Sequence, residues 1–327
     1  MRTERNYRKI QESQCTMLNN IKNFRNKYLS WRRHRKHERL YQSDIGKHLI
    51  SADKANDLIY NKIIENKPCF ITRFGSSELA CLLFYRQARL ADPLINKWNA
   101  HHEHILCDVS GFFPFTEVAM DKFSRHYLSF IQNIDILGAW QIGEENVADL
   151  FDKRIKLVNL SSIEPYYFQE PWSRALAGRK VLVVHPFAES IKMQYAKRAL
   201  LFSDRDVLPD FELQVIAAAQ TLLNNTGGFN DWFETLDNMC SQIAKADFDV
   251  AIIGAGAYGM PIANFIKMKM GKVAIHMGGA TQILFGIKGK RWNDIPQVKS
   301  LFNEYWINPS ANEKPAGAEK VEGGSYW

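Results

Sequence analysis

The stretch DVAIIGAGAYGMPIANF, residues 249–265, decides the fold because it joins a strand, a glycine turn and a helix start in one short run. Val250–Ile253 is an apolar run of strand length, and the GAGAYG that follows has the G-x-G-x-x-G spacing. Residues 260–270 then predict a helix that ends at Gly271. A strand, a turn and a helix N-terminus in this order point free backbone N–H groups at an anion. The predicted phosphate-binding residues of this loop are Gly254, Gly256, Ala257, Tyr258 and Gly259.

The same stretch does not predict NAD binding. A dinucleotide site needs an acid about 20 residues further on, at the end of the next strand, to hold the ribose hydroxyls. That strand is KVAIHMGG here, and no Asp or Glu lies between Asp249 and Asp294, a segment that carries six Lys and Arg residues. We therefore expect a phosphorylated ligand other than NAD. Further phosphate ligands predicted from this segment are Gly278, Gly279, Lys288, Lys290 and Arg291.

Alternating strand and helix signals predict an α/β fold with a doubly wound, mainly parallel, Rossmann-like sheet. In such sheets ligands bind beyond the carboxyl ends of the strands, so the segments RFGSSE, GEE, SSIEP, HPFAES, GAGAYG and HMGGATQ should meet at one rim. Arg73 can bind a phosphate bidentately, while Gly75, Ser76 and Ser77 open a helix N-terminus beside it. His185 and Glu189 in HPFAES form a candidate acid/base pair.

Other segments have less specific interpretations. Residues 211–223 predict an amphipathic helix, and the chain after Pro309 predicts little regular structure. HHEHILCD, residues 101–108, matches no closed zinc pattern and is interpreted as a polar loop. GFFP, residues 111–114, is interpreted as an apolar turn that belongs to the core or forms a stacking surface for a base or sugar.

Positive charge is concentrated at the N-terminus. Residues 1–44 hold 12 Lys/Arg against 4 Asp/Glu, whereas the rest of the 327-residue chain is close to neutral. Aromatic residues alternate with the basic ones there, and this pattern has two interpretations: contact with an anionic membrane face, or a solvated, partly helical extension. Nucleic acid is the less favoured partner. No membrane span, signal-peptide core or C-x-x-C pair is present, which predicts a cytoplasmic protein.

Several segments together resemble a known family. They are ITRFGSSE, GFFP, PWSRALAGRKVLVVHPFAESI, LPDFEL, DVAIIGAGAYGMPIA, HMGGATQILFGIKGKRW and VEGGSYW, and they resemble bacterial proteins encoded among surface-polysaccharide genes. RFGSSE is also similar to the R-x-G-D-G-E motif of GT-D-type glycosyltransferases, in which an acidic triplet binds a divalent metal beside a nucleotide sugar. The resemblance implies a GT-D-like fold, a nucleotide-diphospho-sugar donor, and a glycan or lipid-linked acceptor in polysaccharide biosynthesis.

The chain departs from that motif at two positions. Ser76 stands where the motif has its Asp, and Ser77 where it has its second Gly. A hydroxyl is a poor substitute for a carboxylate on Mg²⁺ or Mn²⁺. Two alternatives stay open: Glu78 holds a metal with other groups, or Arg73, the helix N-terminus and the basic loop neutralise the leaving diphosphate instead.

The resemblance and the residues lead to one set of predictions. We expect a basic extension over residues 1–45, an α/β nucleotide-sugar-binding catalytic domain over 46–308, and a C-terminal tail over 309–327. The candidates for deprotonating an acceptor hydroxyl are Glu189, His185 and Glu78. The expected location is the cytoplasm, with contact to the inner membrane face through residues 1–44. The alternatives are a non-catalytic nucleotide-binding or scaffold protein, and another transferase with a phosphorylated ligand.

Overall fold

The computed structural model describes residues 39–223 and 225–327. The predictions for the basic extension lie almost entirely outside these residues. In the part described, no helix is both long enough and apolar enough to cross a membrane.

The described chain forms one sheet of seven strands, all parallel, which confirms the predicted doubly wound α/β class. The strands are β1 (Cys69–Thr72), β2 (Ile136–Ala139), β3 (Lys156–Asn159), β4 (Lys180–His185), β5 (Glu212–Ala217), β6 (Val250–Ile253) and β7 (Val273–His276). Their order across the sheet is β3-β2-β1-β7-β6-β4-β5. The chain runs outward from β1 to β3, and later strands fill the other side of β1.

Nine α-helices lie wholly within the described residues, in addition to helical residues 39–42: α1 (Ala52–Glu65), α2 (Ser76–Phe84), α3 (Ala100–Glu103), α4 (Glu117–Phe130), α5 (Ala188–Tyr195), α6 (Trp232–Ile243), α7 (Gly259–Phe265), α8 (Thr281–Leu284) and α9 (Pro296–Lys299). A single π turn extends α2, α3 and α7 at their C-terminal ends. Local chemistry fixes several helix ends. The side chain of Thr116 caps α4, that of Asp231 caps α6, and Gly271, at φ 68°, ends the helix that α7 begins.

Each strand contributes to two hydrophobic cores because successive side chains point to opposite faces of a sheet. In β6, Ala251 and Ile253 pack with α4, α6 and α7, whereas Val250 and Ile252 pack with α1, α5 and α8 on the other face. All four β6 residues are buried. A strand covered on both faces has no polar side, which explains the uninterrupted apolar runs in the sequence.

Three segments differ from the sequence-based interpretation. Residues 212–217, expected in a helix, form the edge strand β5, which pairs with β4 over six residues. HHEHILCD, expected as a loop, forms most of α3 and its π turn. GFFP belongs to the core, since the rings of Phe112 and Phe113 are buried and Phe112 packs against Phe123.

The C-terminal segment, residues 310–327, contains two short 3₁₀ turns and packs against the domain. Glu313 is buried and its carboxylate accepts hydrogen bonds from the backbone N–H groups of Glu189 and Ser190 at the start of α5. Ala318 and Val321 are buried as well. The segment adds one wall to the cleft described next. We call residues 310–327 the C-terminal strap.

Candidate functional site

A cleft of about 1100 Å³, including its opening to solvent, lies at the carboxyl ends of the central strands. Residues that follow β1, β4, β6 and β7 line it, together with the C-terminal strap. This is the place where open parallel sheets bind ligands, beside the point at which the strand order reverses. Four of the six segments predicted to meet at this rim line the cleft, namely RFGSSE, HPFAES, GAGAYG and HMGGATQ, whereas GEE and SSIEP do not line it.

Arg73 contributes a cation to the cleft. It follows β1 directly, its Nε donates to the carbonyl of Phe74 at 3.0 Å, and its guanidinium lies 4.6 Å from the centre of the Trp140 ring. Within the described residues it makes no ion pair with a carboxylate, although the charges of Glu78 and Glu164 are nearby. Burial lowers the pKa of Arg73, but an arginine side chain stays charged in proteins. Its terminal nitrogens are thus available to an anionic ligand.

The N-terminus of α2 lies beside Arg73. Gly75 is the N-cap residue, and no side chain caps the helix. The first backbone hydrogen bond of the helix runs from the N–H of Leu79 to the carbonyl of Gly75. The N–H groups of Ser76 and Ser77 precede this bond and have no acceptor within the helix. Both serines line the cleft. Free amides at a helix N-terminus favour an anion.

Glu78 is a buried carboxylate at the same helix end. It lines the cleft, and its side chain folds back over Gly75, where a Cβ atom would fall only 1.8 Å from Oε2. Burial raises the pKa of Glu78, and a hydrogen bond from its own backbone N–H and the charge of Arg73 offset this only in part. A carboxylate with a raised pKa is a stronger base than an exposed one.

The loop after β6 has glycine at two positions where neighbouring atoms lie too close for a Cβ atom. A Cβ on Gly254 would lie 2.6 Å from the carbonyl oxygen of Gly278, and one on Gly259 would lie 2.3 Å from Nε2 of His276. The N–H groups of Ala257 and Tyr258 already donate to carbonyls of the protein. Within the described residues, the amides of this loop left to a ligand are those of Ala255 and Gly256. The loop therefore offers fewer donors than its motif suggests.

Two buried histidines, His185 after β4 and His276 at the end of β7, also line the cleft. Burial lowers the pKa of each to about 3, so both rings are neutral. Nδ1 of His185 accepts a hydrogen bond from the N–H of Phe187 at 3.0 Å, which assigns the ring proton to Nε2. His185 thus presents a hydrogen-bond donor to a ligand and has no free basic nitrogen.

The C-terminal strap brings a second cation into the cleft. Arg291 donates to the hydroxyl of Tyr326 at 2.9 Å, and its guanidinium lies 4.4 Å from the centre of that ring. It also forms an ion pair with Glu322. All three residues line the cleft.

The predicted site residues divide into two sets. The cleft brings together Arg73, Gly75, Ser76, Ser77, Glu78, His185, Gly254, Gly256, Tyr258, Gly278, Gly279 and Arg291. Five others do not line it: Ala257, Gly259, Glu189, Lys288 and Lys290.

Each of those five has another role in the structure. Ala257 and Gly259 pack behind the glycine loop. Glu189 lies in the first turn of α5 with its side chain 60% exposed, and it pairs with Lys192 at 2.9 Å. The ammonium of Lys288 lies 5.9 Å from the Phe302 ring centre, and that of Lys290 donates to the carbonyl of Gly323 at 3.0 Å.

Three of the cleft residues that sequence reasoning did not predict are Trp140, Gln282 and Tyr326. Trp140 follows β2 directly, a position that could have drawn attention to it. Gln282 lies in HMGGATQ; it is fully buried, and its Oε1 has no hydrogen-bond partner within the described residues. Tyr326 belongs to VEGGSYW, which was noted for its resemblance but not assigned to a site. An unpaired buried acceptor at a cleft is a group that a ligand donor would satisfy.

The residues present do not fit the divalent metal that the motif resemblance implies. The carboxylates lining the cleft are Glu78 and Glu322, and Glu322 is paired with Arg291. Among the described residues no three His, Cys, Asp or Glu side chains are grouped so that they could hold an ion. Mg²⁺ requires hard oxygen ligands in near-octahedral geometry, and Ser76 supplies no carboxylate.

A family model described as a GT-D fold-like domain matches residues 50–284, most of the chain. The match spans all seven strands and every strand end that lines the cleft. Searches of curated proteins and of solved structures returned no significant match.

Proposed function

The chain belongs to the GT-D-like family, and we propose that it is a glycosyltransferase that uses a nucleotide-diphospho-sugar. The acceptor we propose is a hydroxyl of a glycan or lipid-linked glycan, in line with the resemblance to polysaccharide-locus proteins. The family match supports two parts of this proposal, the fold and its relation to glycosyltransferases. The donor and the reaction rest on the cleft.

The observation that carries the proposal is Arg73. Arg73 is half-buried and makes no ion pair within the described residues, and a partly desolvated guanidinium is stabilised when a ligand supplies the negative charge. The two free amides at the start of α2 and the stacked ring of Trp140 surround it. This arrangement suits a phosphate of the donor, and it positions positive charge where the leaving diphosphate develops negative charge.

The chemistry follows from which groups line the cleft. The bond between the sugar C1 and the diphosphate oxygen breaks, and the nucleoside diphosphate leaves with the electron pair toward Arg73. The acceptor oxygen forms the new bond to C1, and its proton passes to the carboxylate of Glu78. We assign this role to Glu78 because Glu189 lies outside the cleft and neutral His185 has no free basic nitrogen.

One experiment with two variants tests the proposal. Arg73→Ala should weaken the binding of UDP or GDP by ~10- to 100-fold, since it removes charge-assisted hydrogen bonds to phosphate. Glu78→Gln should keep that affinity within a few-fold and lower turnover by ~10²- to 10⁴-fold, as expected for a lost general base. Calorimetric titration gives the affinity, and release of nucleoside diphosphate from nucleotide sugars gives the turnover.

Arg154→Ala is the matched control, because Arg154 is 89% exposed and pairs only with the nearby Asp152. Its affinity and turnover should equal those of the wild type. Nucleotide binding that Arg73→Ala leaves unchanged would contradict the proposed donor site. Full turnover in Glu78→Gln would contradict the proposed base.

Ser76 favours a second candidate, a nucleotide-binding protein without catalysis, because the family motif has an acid at that position. The same experiment separates the two. Binding of nucleotide sugars with the Arg73 dependence above, but without release of nucleoside diphosphate in the presence of glycan acceptors, would favour the binding protein.

A further inference from the structure

Two guanidinium groups lie on the same wall of the cleft, on either side of the dipeptide Gly278–Gly279. A Cβ on Gly278 would lie 2.8 Å from Nη1 of Arg73, and one on Gly279 would lie 2.6 Å from Cε1 of Tyr326. The Tyr326 ring in turn lies against the guanidinium of Arg291. Gly278 thus lets Arg73 approach on one side, and Gly279 lets the Tyr326 ring, which contacts Arg291, approach on the other.

Electrostatics supports this proximity. The pKa of Arg73 is lowered first by burial and also by the positive charge of Arg291. The pKa of Tyr326 is raised by burial, while the charges of both Arg291 and Arg73 act to lower it. The hydroxyl of Tyr326 therefore lies within the field of both cations.

The two cations differ in what neutralises them. Arg73 makes no ion pair in the described chain, whereas Arg291 is paired with Glu322 of the C-terminal strap. The side chains of Arg291 and Glu322 are 33% and 38% exposed, so this pair is open to solvent and to a competing anion. A partly exposed ion pair contributes little net stability and can exchange its partner.

We propose that Arg291 is the second phosphate-binding group of the donor site, and that the donor's diphosphate bridges Arg73 and Arg291 by displacing Glu322. This inference rests on the proposed function and specifies how that site selects a diphosphate. The hydroxyl of Tyr326 and the N–H groups of Ser76 and Ser77 add donors around the same anion. Displaced Glu322 loosens the strap at its Arg291 contact, while Glu313 keeps the strap anchored at α5.

The two arginines take the place that a divalent metal has in the R-x-G-D-G-E motif. Two guanidinium groups carry the same formal charge as one Mg²⁺ or Mn²⁺ ion, and their planar forks match phosphate oxygens. The departure at Ser76 agrees with this assignment, because an acid there would repel the diphosphate if no metal lay between them. Binding of a diphosphate should therefore not require a divalent metal.

The test compares nucleoside diphosphates with monophosphates. Affinities of UDP, UMP, GDP and GMP are measured by calorimetry for the full chain, with EDTA and separately with MnCl₂. Arg291→Gln should weaken diphosphate binding by ~10- to 100-fold and leave monophosphate binding within a few-fold, because a single phosphate is held by Arg73. Glu322→Gln should strengthen diphosphate binding by about fivefold, since the competing carboxylate is gone. EDTA should change none of these affinities.

Glu319→Gln is the control for Glu322, since Glu319 is an exposed carboxylate of the same strap, and Arg154→Gln is the control for Arg291. Thermal unfolding of each variant checks that the fold is intact. No nucleotide affinity in the wild type would overturn the proposed function and this inference with it. Diphosphate binding that is equal in wild type, Arg291→Gln and Glu322→Gln, or that is lost in EDTA, would overturn this inference alone.

Discussion

Glu164, which follows β3, shows how one buried carboxyl couples the stability of this protein to pH. Its side chain is 8% exposed, and its Oε2 accepts a hydrogen bond from the hydroxyl of Tyr166 at 2.8 Å. Burial raises the pKa of Glu164 to about 7, and hydrogen bonding from Tyr166 and the charge of Arg73 offset this only in part. The folded protein therefore holds a proton here that the unfolded chain releases near pH 4.5.

The sign of the effect follows from this difference. Below pH 4.5 both states are protonated, and between pH 4.5 and 7 the folded state binds more protons, so the free energy of unfolding falls as pH rises. Between pH 5 and 8, ionisation of Glu164 should lower the free energy of unfolding of the wild type by about 1 to 3 kcal/mol. We expect this part of the decrease to be absent in Glu164→Gln, because an amide does not ionise. Urea titrations at the two pH values measure it.

Glu170→Gln is the matched control, because Glu170 is 84% exposed and pairs with Arg174 at the surface. It should lose as much stability between pH 5 and 8 as the wild type. A Glu164→Gln variant with the same loss as this control would show that Glu164 has an ordinary pKa in the folded state.

At the scale of single residues, the sequence predicted those site positions that strand ends determine. Arg73, Ser76, Ser77 and Glu78 follow β1, and the spacing of one strand and one helix start is enough to place them. Glu189 also follows a strand end, but its side chain is 60% exposed and pairs with Lys192 within α5 instead of lining the cleft. The partners of Arg291 come from the strap, and no local pattern in the sequence predicts that contact.

At the scale of elements, β5 shows why tertiary pairing overrides a local pattern. Residues 212–219 include three alanines and an apolar spacing that suits a helix, yet residues 212–217 form a full ladder with β4. An edge strand packs on one neighbour only, so its residues are partly exposed and do not form an uninterrupted buried run. The buried central strands β4 and β6 were predicted because both of their faces are apolar.

The junction of the C-terminal strap with α5 leads to a prediction at the same scale. Glu313 accepts the N–H groups of Glu189 and Ser190 at 2.8 and 3.2 Å and also contacts the hydroxyl of Ser190. We expect Glu313→Ala to lower the free energy of unfolding by about 2 kcal/mol, because it removes a helix cap and leaves buried donors without a partner. Chemical denaturation measures this loss.

Hydrogen exchange gives the local readout. Amides of the strap such as those of Val321 and Gly324 donate to carbonyls within the strap, and loss of the anchor should speed their exchange. Glu319→Gln, an exposed change in the same segment, should leave both stability and exchange unaltered. If these amides exchange in the Glu313→Ala variant at the wild-type rate, the strap is held by other contacts.

At the scale of the whole molecule, charge is divided between two parts of the chain. Residues 1–38 hold 11 Lys/Arg against 3 Asp/Glu, while the residues from 45 onward are close to neutral. Within the described residues, Leu40 and Ile45, at the end of the predicted basic extension, are buried. From this charge distribution we propose that the basic N-terminal segment is the part of the molecule that contacts an anionic membrane surface.

We predict that the full chain binds vesicles containing anionic lipid and that the chain without residues 1–38 does not. Each basic residue near such a surface contributes about 1 kcal/mol, and high salt screens the attraction. Sedimentation with anionic and with neutral vesicles, at low and high salt, measures binding. A full-length variant with Arg32, Arg33, Arg35 and Lys36 changed to Gln is the control for charge alone, and it should bind with intermediate strength.

Nucleotide affinity should be the same in all three proteins, because the cleft lies wholly in the part that they share. Equal sedimentation of the full and shortened chains would assign membrane contact to another surface, and a shortened chain that fails to bind nucleotide would show that the extension supports the donor site.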